Sequence, residues 1–139
     1  MAVLERKKKL VDTLELKNED GSTFAILNID LDVDRIMAEY NRARNDVIRA
    51  QQKIKTDPQN PEILNEYGQA IISVLDVLFG TENTKKLLEF YENKYSELLE
   101  MIFPYISNEI EPRMREIVND KVAKMKAQFN RKQRRKFGL

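Results

Sequence analysis

The chain has 139 residues, of which 34% are charged, with a formal net charge of +1 and neither cysteine nor histidine. These counts exclude disulfide chemistry, the cysteine and histidine ligands of zinc, haem and iron–sulfur sites, and the histidine-dependent nucleophilic triads. Only four glycines and four prolines occur, which favours helix over sheet. We therefore expect one mostly α-helical domain without a cofactor. No membrane span or secretory signal is evident, which places the protein in the cytoplasm.

The small net charge conceals an uneven distribution along the chain. Residues 121–139 contain eight lysines or arginines and no acid. Subtracting these eight from the 24 basic residues leaves 16 against 23 acids in residues 1–120, a net charge of −7. We therefore predict an acidic single domain over residues 1–130, followed by a basic C-terminal tail over residues 131–139.

A β-hairpin is predicted at the N-terminus, over residues 10–29. Polar and apolar residues alternate from Val11 to Leu16, Gly21 closes a turn-forming run, and the next residues are rich in β-formers. A hairpin alone is marginally stable in water. It is therefore expected to lie on helices or to extend the sheet of another chain.

Residues 33–130 are predicted to form the helical body. The first helix runs from Val33 to about Lys55 and is capped by Asp32. Asp30, Asp32 and Asp34 have the spacing of half a calcium loop, but Arg35 stands where that loop needs glycine, so a helix cap is favoured over a metal site. The helix has one narrow apolar seam, formed by Ile36, Tyr40, Ala43, Val47, Ala50 and Ile54.

A central helix is predicted from Pro61, after an Asn60 cap, to the natural stop at Gly80. Its apolar stripe is broad and includes Leu64, Tyr67, Ile71, Leu75 and Leu78. Gly68 within it is expected to allow the close approach of another helix.

The remaining pattern predicts a short helix from Thr84 to about Asn93, capped by Thr81 or Asn83, and a longer helix after it. Pro104 lies within that longer helix and is expected to kink or interrupt it, because proline lacks the backbone donor. An apolar stripe then continues helix to about Arg131: Met114, Ile117, Val118, Val122, Met125 and Phe129. The fold class is therefore mostly α, with four to five helices, the last one long and kinked at proline.

The segment FGTENTKKLLEFYENKYSELLEMIFPYI, residues 79–106, resembles the small tail assembly chaperones of long-tailed phages and prophages of Gram-positive bacteria. The matching features are the Phe79-Gly80 helix break, the cluster that ends in Phe90-Tyr91, the closing Pro104-Tyr105-Ile106, and the basic terminus RKQRRKFGL. The resemblance implies a non-enzymatic homo-oligomer in the host cytoplasm. Such a protein binds the tape measure protein and helps to recruit tail tube subunits.

The residues assigned to partner binding belong to that segment and to the basic terminus. They are Leu87, Phe90, Tyr91, Tyr95, Arg131, Lys132, Arg134, Arg135 and Lys136. No catalytic, cofactor-binding or metal-binding residues are assigned.

Two other functions compete with this interpretation. A small regulator could bind nucleic acid through the basic tail, but the tail lacks interleaved aromatic residues, with only Phe129 and Phe137 nearby. An enzyme is disfavoured because no carboxylate stands alone in an apolar run and no glycine-rich phosphate loop occurs.

Overall fold

The computed structural model describes residues 1–4 and 9–136, with only the backbone of residues 132–136. Within these ranges, two strands lead into the helices: β1 (Leu10–Lys17), β2 (Thr23–Leu31), α1 (Val33–Thr56), α2 (Pro61–Phe79), α3 (Thr81–Phe90), α4 (Tyr95–Tyr105) and α5 (Glu111–Lys136). A π-helical turn, Ile106–Ile110, joins α4 to α5. The mostly α-helical fold with an N-terminal hairpin is thus confirmed.

The hairpin is antiparallel and lies with one face on the helices. Leu14 pairs with Leu27, and pairing continues as far as Leu10 with Leu31, so β2 ends two residues later than predicted. Gly21 takes a φ of 85°, which glycine adopts without a steric penalty. The inward side chains are buried or half-buried, whereas Val11 and Ile26 on the outer face are exposed. The alternation separated the two faces of β1, and the structure shows that the face with Leu14 and Leu16 lies towards the core.

The first helix begins at Val33, as predicted, but its cap differs from the prediction. Asp32 occupies the N-cap position without a capping hydrogen bond from its side chain. The carbonyl of Asp32 instead accepts from the backbone N–H of Ile36, which closes the first turn. The predicted seam is correct: five of its residues are buried and the sixth, near the helix end, is half-buried.

The second helix has the predicted ends. The Asn60 side chain accepts a hydrogen bond from the backbone N–H of Glu62 at 3.0 Å, and the helix stops before Gly80, whose φ is 83°. Most of the predicted stripe is buried or half-buried, but Leu64 is 46% exposed. The prediction fails at Leu64 because this end of the α1–α2 contact is polar, with Lys53 2.8 Å from Glu66.

The third helix begins earlier than expected, directly after Gly80. Neither predicted cap forms. The Thr84 hydroxyl donates instead to the carbonyl of Gly80 at 2.9 Å. The side-chain amide of Asn83 donates to the carbonyls of Phe79 and Asn28, each at 2.9 Å. Asn83 thereby ties the start of α3 to β2.

The break predicted near Asn93 is present between α3 and α4. Glu92 and Asn93 take φ values of 53° and 60°, the left-handed region that reverses the chain direction after a helix. The backbone N–H of Asn93 donates to the carbonyl of Leu88 at 2.9 Å. The turn thus places the end of α3 beside the start of α4.

Pro104 is followed by a change of helix type rather than by an end of the helix. Proline cannot donate to the carbonyl of Glu100, and the chain passes through the π-helical turn before α5 begins. Helix α5 then continues to Lys136, beyond the predicted end at Arg131. The first six residues of the predicted basic tail are therefore helical, and residues 137–139 lie outside the described part of the chain.

The buried apolar residues of the hairpin, the helices and the π-helical turn belong to one cluster. Its most deeply buried members include Leu27, Ile71, Leu75, Leu98 and Ile110. Met114 is the last buried residue of α5 within the described chain. The core therefore ends before the final two-thirds of that helix.

Candidate partner-binding site

The aromatic part of the predicted partner-binding set lies at the α3–α4 turn. Phe90 is half-buried between Phe24 and Tyr91, with ring centroids 5.2 and 4.9 Å away. Such tilted and edge-on ring pairs add to the stability given by burial alone. Burial, with a smaller effect from Glu97, raises the pKa of Tyr91 above its usual value. These two aromatic residues therefore form a fixed and partly open surface.

Two other residues of the predicted set have different surroundings. Leu87 has no exposed surface and belongs to the core, so it is not part of the surface described below. Tyr95 is half-buried and lies against α2, where a Cβ atom added to Gly68 would be 3.1 Å from its ring. Gly68 thus permits the close helix approach that the sequence predicted.

A groove of about 620 Å³ lies between the end of the hairpin and the α3–α4 region. We call it the hairpin groove. Its floor contains apolar and aromatic side chains from β1, α3 and α4: Leu14, Leu16, Phe90, Tyr91, Met101 and Tyr105. Met101 is 59% exposed, so apolar surface is open to solvent here.

The charged rim of the hairpin groove is predominantly acidic. Four of its lining residues are glutamates and two are lysines: Glu15, Glu19, Glu92, Glu97, Lys17 and Lys94. An apolar floor between charged rims suits an amphipathic helix, which buries its apolar face and leaves its polar face in water. The acidic excess favours a helix that carries basic residues.

A cluster of contacts holds Tyr105, which lines the hairpin groove, against the rest of the protein. The Tyr105 hydroxyl donates to Asp12 at 2.6 Å, and the guanidinium of Arg113 donates to the carbonyl of Val11 at 3.1 Å. The Tyr105 ring also stacks on Phe79, with centroids 6.4 Å apart. Burial and the bond to Asp12 raise the pKa of Tyr105. These contacts therefore join β1, α2, α4 and α5.

A second cluster holds the start of α5 against α1. The Tyr40 hydroxyl donates to the carboxylate of Glu111, and the Arg44 side chain lies 3.4 Å from the same oxygen. Burial and this hydrogen bond raise the pKa of Tyr40, which keeps the hydroxyl protonated. About two turns beyond Met114, Lys121 lies 3.4 Å from Asp34.

Beyond Lys121, α5 leaves the body of the protein. The side chains of residues 119–131 are all exposed, including Val122 at 43% and both Met125 and Phe129 at 60%. These three residues follow helical spacing and form one apolar stripe. The stripe predicted from sequence is therefore real, but its second half does not contact the core of its own chain.

The basic residues assigned to partner binding lie at the end of this exposed helix. Arg131 is exposed, and the backbone is helical through Lys132, Arg134, Arg135 and Lys136. Phe90 and Tyr91 line the hairpin groove and the basic residues follow on α5, so these members of the predicted set divide between two surfaces. One is the hairpin groove and the other is the distal half of α5, residues 121–136.

Sequence reasoning missed the contributions of β1 and α4 to the groove. Leu14 and Leu16 fit the alternation of β1. Alternation alone, however, does not show which of the inward residues of a hairpin line an open groove. Met101 lies outside the main apolar stripe of α4. This position could have indicated from the sequence that its side chain is exposed.

In the described part of the chain, none of the helices combines the length and hydropathy needed to cross a bilayer. Nor do His, Cys, Asp or Glu side chains there form a group of three able to hold a metal ion.

Residues 21–138 match a protein family described as a family of unknown function, DUF6673. The chain belongs to the DUF6673 family. The match begins at the hairpin turn and covers β2, every helix and the basic segment. No curated protein and no solved structure matches the chain.

Proposed function

We propose that this DUF6673 protein is a non-enzymatic tail assembly chaperone of a long-tailed phage or prophage. It binds the helical tape measure protein in the cytoplasm of the host and helps to recruit tail tube subunits. The sequence basis is the resemblance of residues 79–106. The observation that carries the proposal is that this same segment supplies Phe90, Tyr91, Met101 and Tyr105 to the open hairpin groove.

The chemistry of the groove supports a helical client. A tape measure protein is a long helix-rich chain, and its apolar faces need cover before the tail tube assembles around it. The apolar floor offers such cover, while the charged rim restricts the orientation of the bound helix. A partly open groove, rather than a closed pocket, also suits repeated binding along an extended client.

The chaperone function predicts a very long helical open reading frame immediately downstream of this gene, and co-expression with its product tests the proposal. The wild-type chain is expected to co-purify with that protein and to raise its soluble fraction. Met101→Glu is expected to reduce both, because a carboxylate would be placed on the apolar floor. Lys85→Glu on exposed α3 changes charge outside the groove and serves as the control. Absence of both co-purification and a gain in solubility would refute the chaperone function.

One observation favours the alternative of a nucleic-acid-binding regulator. The distal half of α5 is helical and is exposed through Arg131, and residues 121–139 contain eight basic residues and no acid. Phosphate binding by such a helix would weaken steeply as salt rises. DNA binding at low salt by the full chain, lost when Arg131–Leu139 is removed, would support this alternative. An intact chain that does not bind DNA rules it out.

A further inference from the structure

We propose that the distal half of α5 from one copy of this chain docks in the hairpin groove of a second copy. The occupant of the groove is then the protein's own basic, amphipathic helix. The contact is head-to-tail, because it joins two different surfaces. This inference does not depend on the identity of the client or on the chaperone function.

The helix has an apolar face that requires cover. Val122, Met125 and Phe129 lie along one face and are 43–60% exposed. Lys126 lies on one side of this stripe, and Lys121, which is 3.4 Å from Asp34 of its own chain, lies on the other. At 1.5 Å per residue, residues 121–136 extend for about 24 Å, long enough to follow a groove between several secondary-structure elements.

The hairpin groove complements this helix in both polarity and charge. Its lining includes exposed Met101 and the ring of Tyr91, and its rim has four glutamates against two lysines. A basic helix with an apolar stripe therefore pairs apolar surface with apolar surface and lysine with glutamate. Complementary charge favours encounter and fixes orientation.

The same charges disfavour the other ways of covering the stripe. Two distal halves of α5 packed together would place eight basic residues opposite eight others, without an acid on either segment. Like charges at such close range destabilise an interface. Packing of α5 against another α5 is therefore less favourable than docking in the hairpin groove.

A copy cannot fill its own groove in this conformation. Helix α4 lines the groove through Tyr105, and α4, the π-helical turn and α5 form one uninterrupted helical path. Lys121 is 16 residues further along that path, about 20 Å or more from Tyr105. The distal half of α5 thus extends away from its own groove, and the occupant comes from another molecule.

A head-to-tail assembly that does not close leaves one groove and one helix unused, one at each end. Such contacts build rings if they close and open chains if they do not. Sedimentation velocity of the purified chain over a range of concentrations up to about 0.1 mM is the direct test. The wild type is expected to form species larger than a dimer as its concentration rises. A wild type that remains monomeric throughout this range would overturn the proposal.

Two variants separate the two surfaces. The helix variant Met125→Glu/Phe129→Glu replaces two apolar side chains of the stripe with carboxylates. The groove variant Glu15→Lys/Glu97→Lys reverses two charges of the groove rim. Met125 and Phe129 lie on α5, Glu15 lies on β1 and Glu97 lies on α4. All four side chains are exposed, so both variants are expected to fold, which circular dichroism can verify. Each variant alone is expected to be monomeric.

A mixture of the two variants gives the decisive result. The helix variant retains an intact groove, and the groove variant retains an intact helix. The mixture is therefore expected to form a 1:1 dimer and nothing larger. The controls Lys85→Glu and Leu64→Glu alter exposed residues outside both surfaces and should assemble as the wild type does. A mixture that stays monomeric, or variants that assemble as the wild type does, would overturn the proposal.

Discussion

At the scale of single residues, Asp12 connects segments that are distant in the sequence. It lies on the inward side of β1, accepts from Tyr105 at 2.6 Å, and has Arg113 within 3.9 Å. The Tyr105 hydrogen bond, followed by the backbone N–H of Thr13, lowers the pKa of Asp12, with a smaller contribution from Arg113. Burial acts in the opposite direction but is outweighed.

This lowered pKa gives a pH dependence with a definite sign. The folded state favours the carboxylate, so the contribution of Asp12 is present above its unfolded pKa of about 4 and is lost as pH falls through the folded pKa. Tyr105→Phe is expected to lower the free energy of unfolding by about 1 kcal/mol at neutral pH. The loss should be smaller near pH ~3, where the carboxyl group begins to protonate.

Urea denaturation at the two pH values measures this difference. Tyr67→Phe, which removes the hydroxyl of the half-buried tyrosine in α2, is the control and should give equal losses at both. Equal losses for Tyr105→Phe would show that its hydroxyl does not act through the Asp12 carboxylate.

At the scale of secondary-structure elements, α2 and α4 are held at a distance that Gly68 sets. A Cβ atom at this position would be 3.1 Å from the Tyr95 ring, closer than ordinary van der Waals contact. Gly68→Ala therefore has two opposing effects. It improves helix propensity by about 1 kcal/mol but crowds the neighbouring ring, at a cost of about 1–3 kcal/mol.

A double-mutant cycle separates these effects. In the wild type, Gly68→Ala is expected to lower the free energy of unfolding by about 1 kcal/mol. In a Tyr95→Ala background, the same change should raise it by about 1 kcal/mol, because only the helix propensity remains. Thermal or urea denaturation of the four proteins gives the coupling. The same effect in both backgrounds would show that the ring does not limit the helix separation.

The elements predicted well from the sequence are those that residues close together in the chain determine. The hairpin follows from alternation and Gly21, and the ends of α2 follow from Asn60 and Gly80. Contacts such as Tyr105 with Asp12 link residues 93 positions apart, and no local pattern indicates them. The burial of Leu87 was missed for a related reason, since helical spacing identifies an apolar residue without showing what covers it.

The candidate site was predicted only in part for the same reason. The aromatic pair at the end of α3 and the basic terminus were recognised, but the groove depends on β1 and α4 meeting beside them. The apolar stripe of α5 was recognised as helical. Periodicity cannot distinguish a stripe that packs on its own chain from one that packs on another molecule.

At the scale of the whole molecule, charge is segregated between an acidic body and a basic helix. The proposed head-to-tail contact brings these opposite charges together, and salt screens exposed charges over a shorter distance as its concentration rises. Assembly is therefore expected to weaken on the order of tenfold between about 0.05 M and about 0.5 M NaCl. Sedimentation equilibrium measures this change, and assembly that strengthens with salt would contradict a charge-guided contact.

The two proposals place different helices in the same groove. A client helix and the distal half of α5 would therefore compete, and client binding is expected to shorten the assemblies. The experiments remain separable, because the self-association test uses this chain alone. Failure of either test leaves the other proposal standing.

The π-helical turn before α5 affects how the final helix responds to a change in its length. Buried residues recur every fourth position through this region: Leu98, Ile102, Ile106, Ile110 and Met114. In a regular α-helix, each step of four drifts by about 40° around the axis, so five such residues would spiral off one face. The wider π-helical turn offsets this drift, because it accommodates one residue more than an α-helical turn does.

Removal of exposed Asn108 should therefore return the turn to ordinary α-helix while keeping its neighbours directed at the core. We expect a change of less than about 1 kcal/mol in the free energy of unfolding, whereas deletion of exposed Gln69 rotates the rest of α2 by about 100° and should prevent folding. Urea denaturation of the two deletion variants makes the comparison. The last helix thus tolerates the loss of one residue at the π-helical turn.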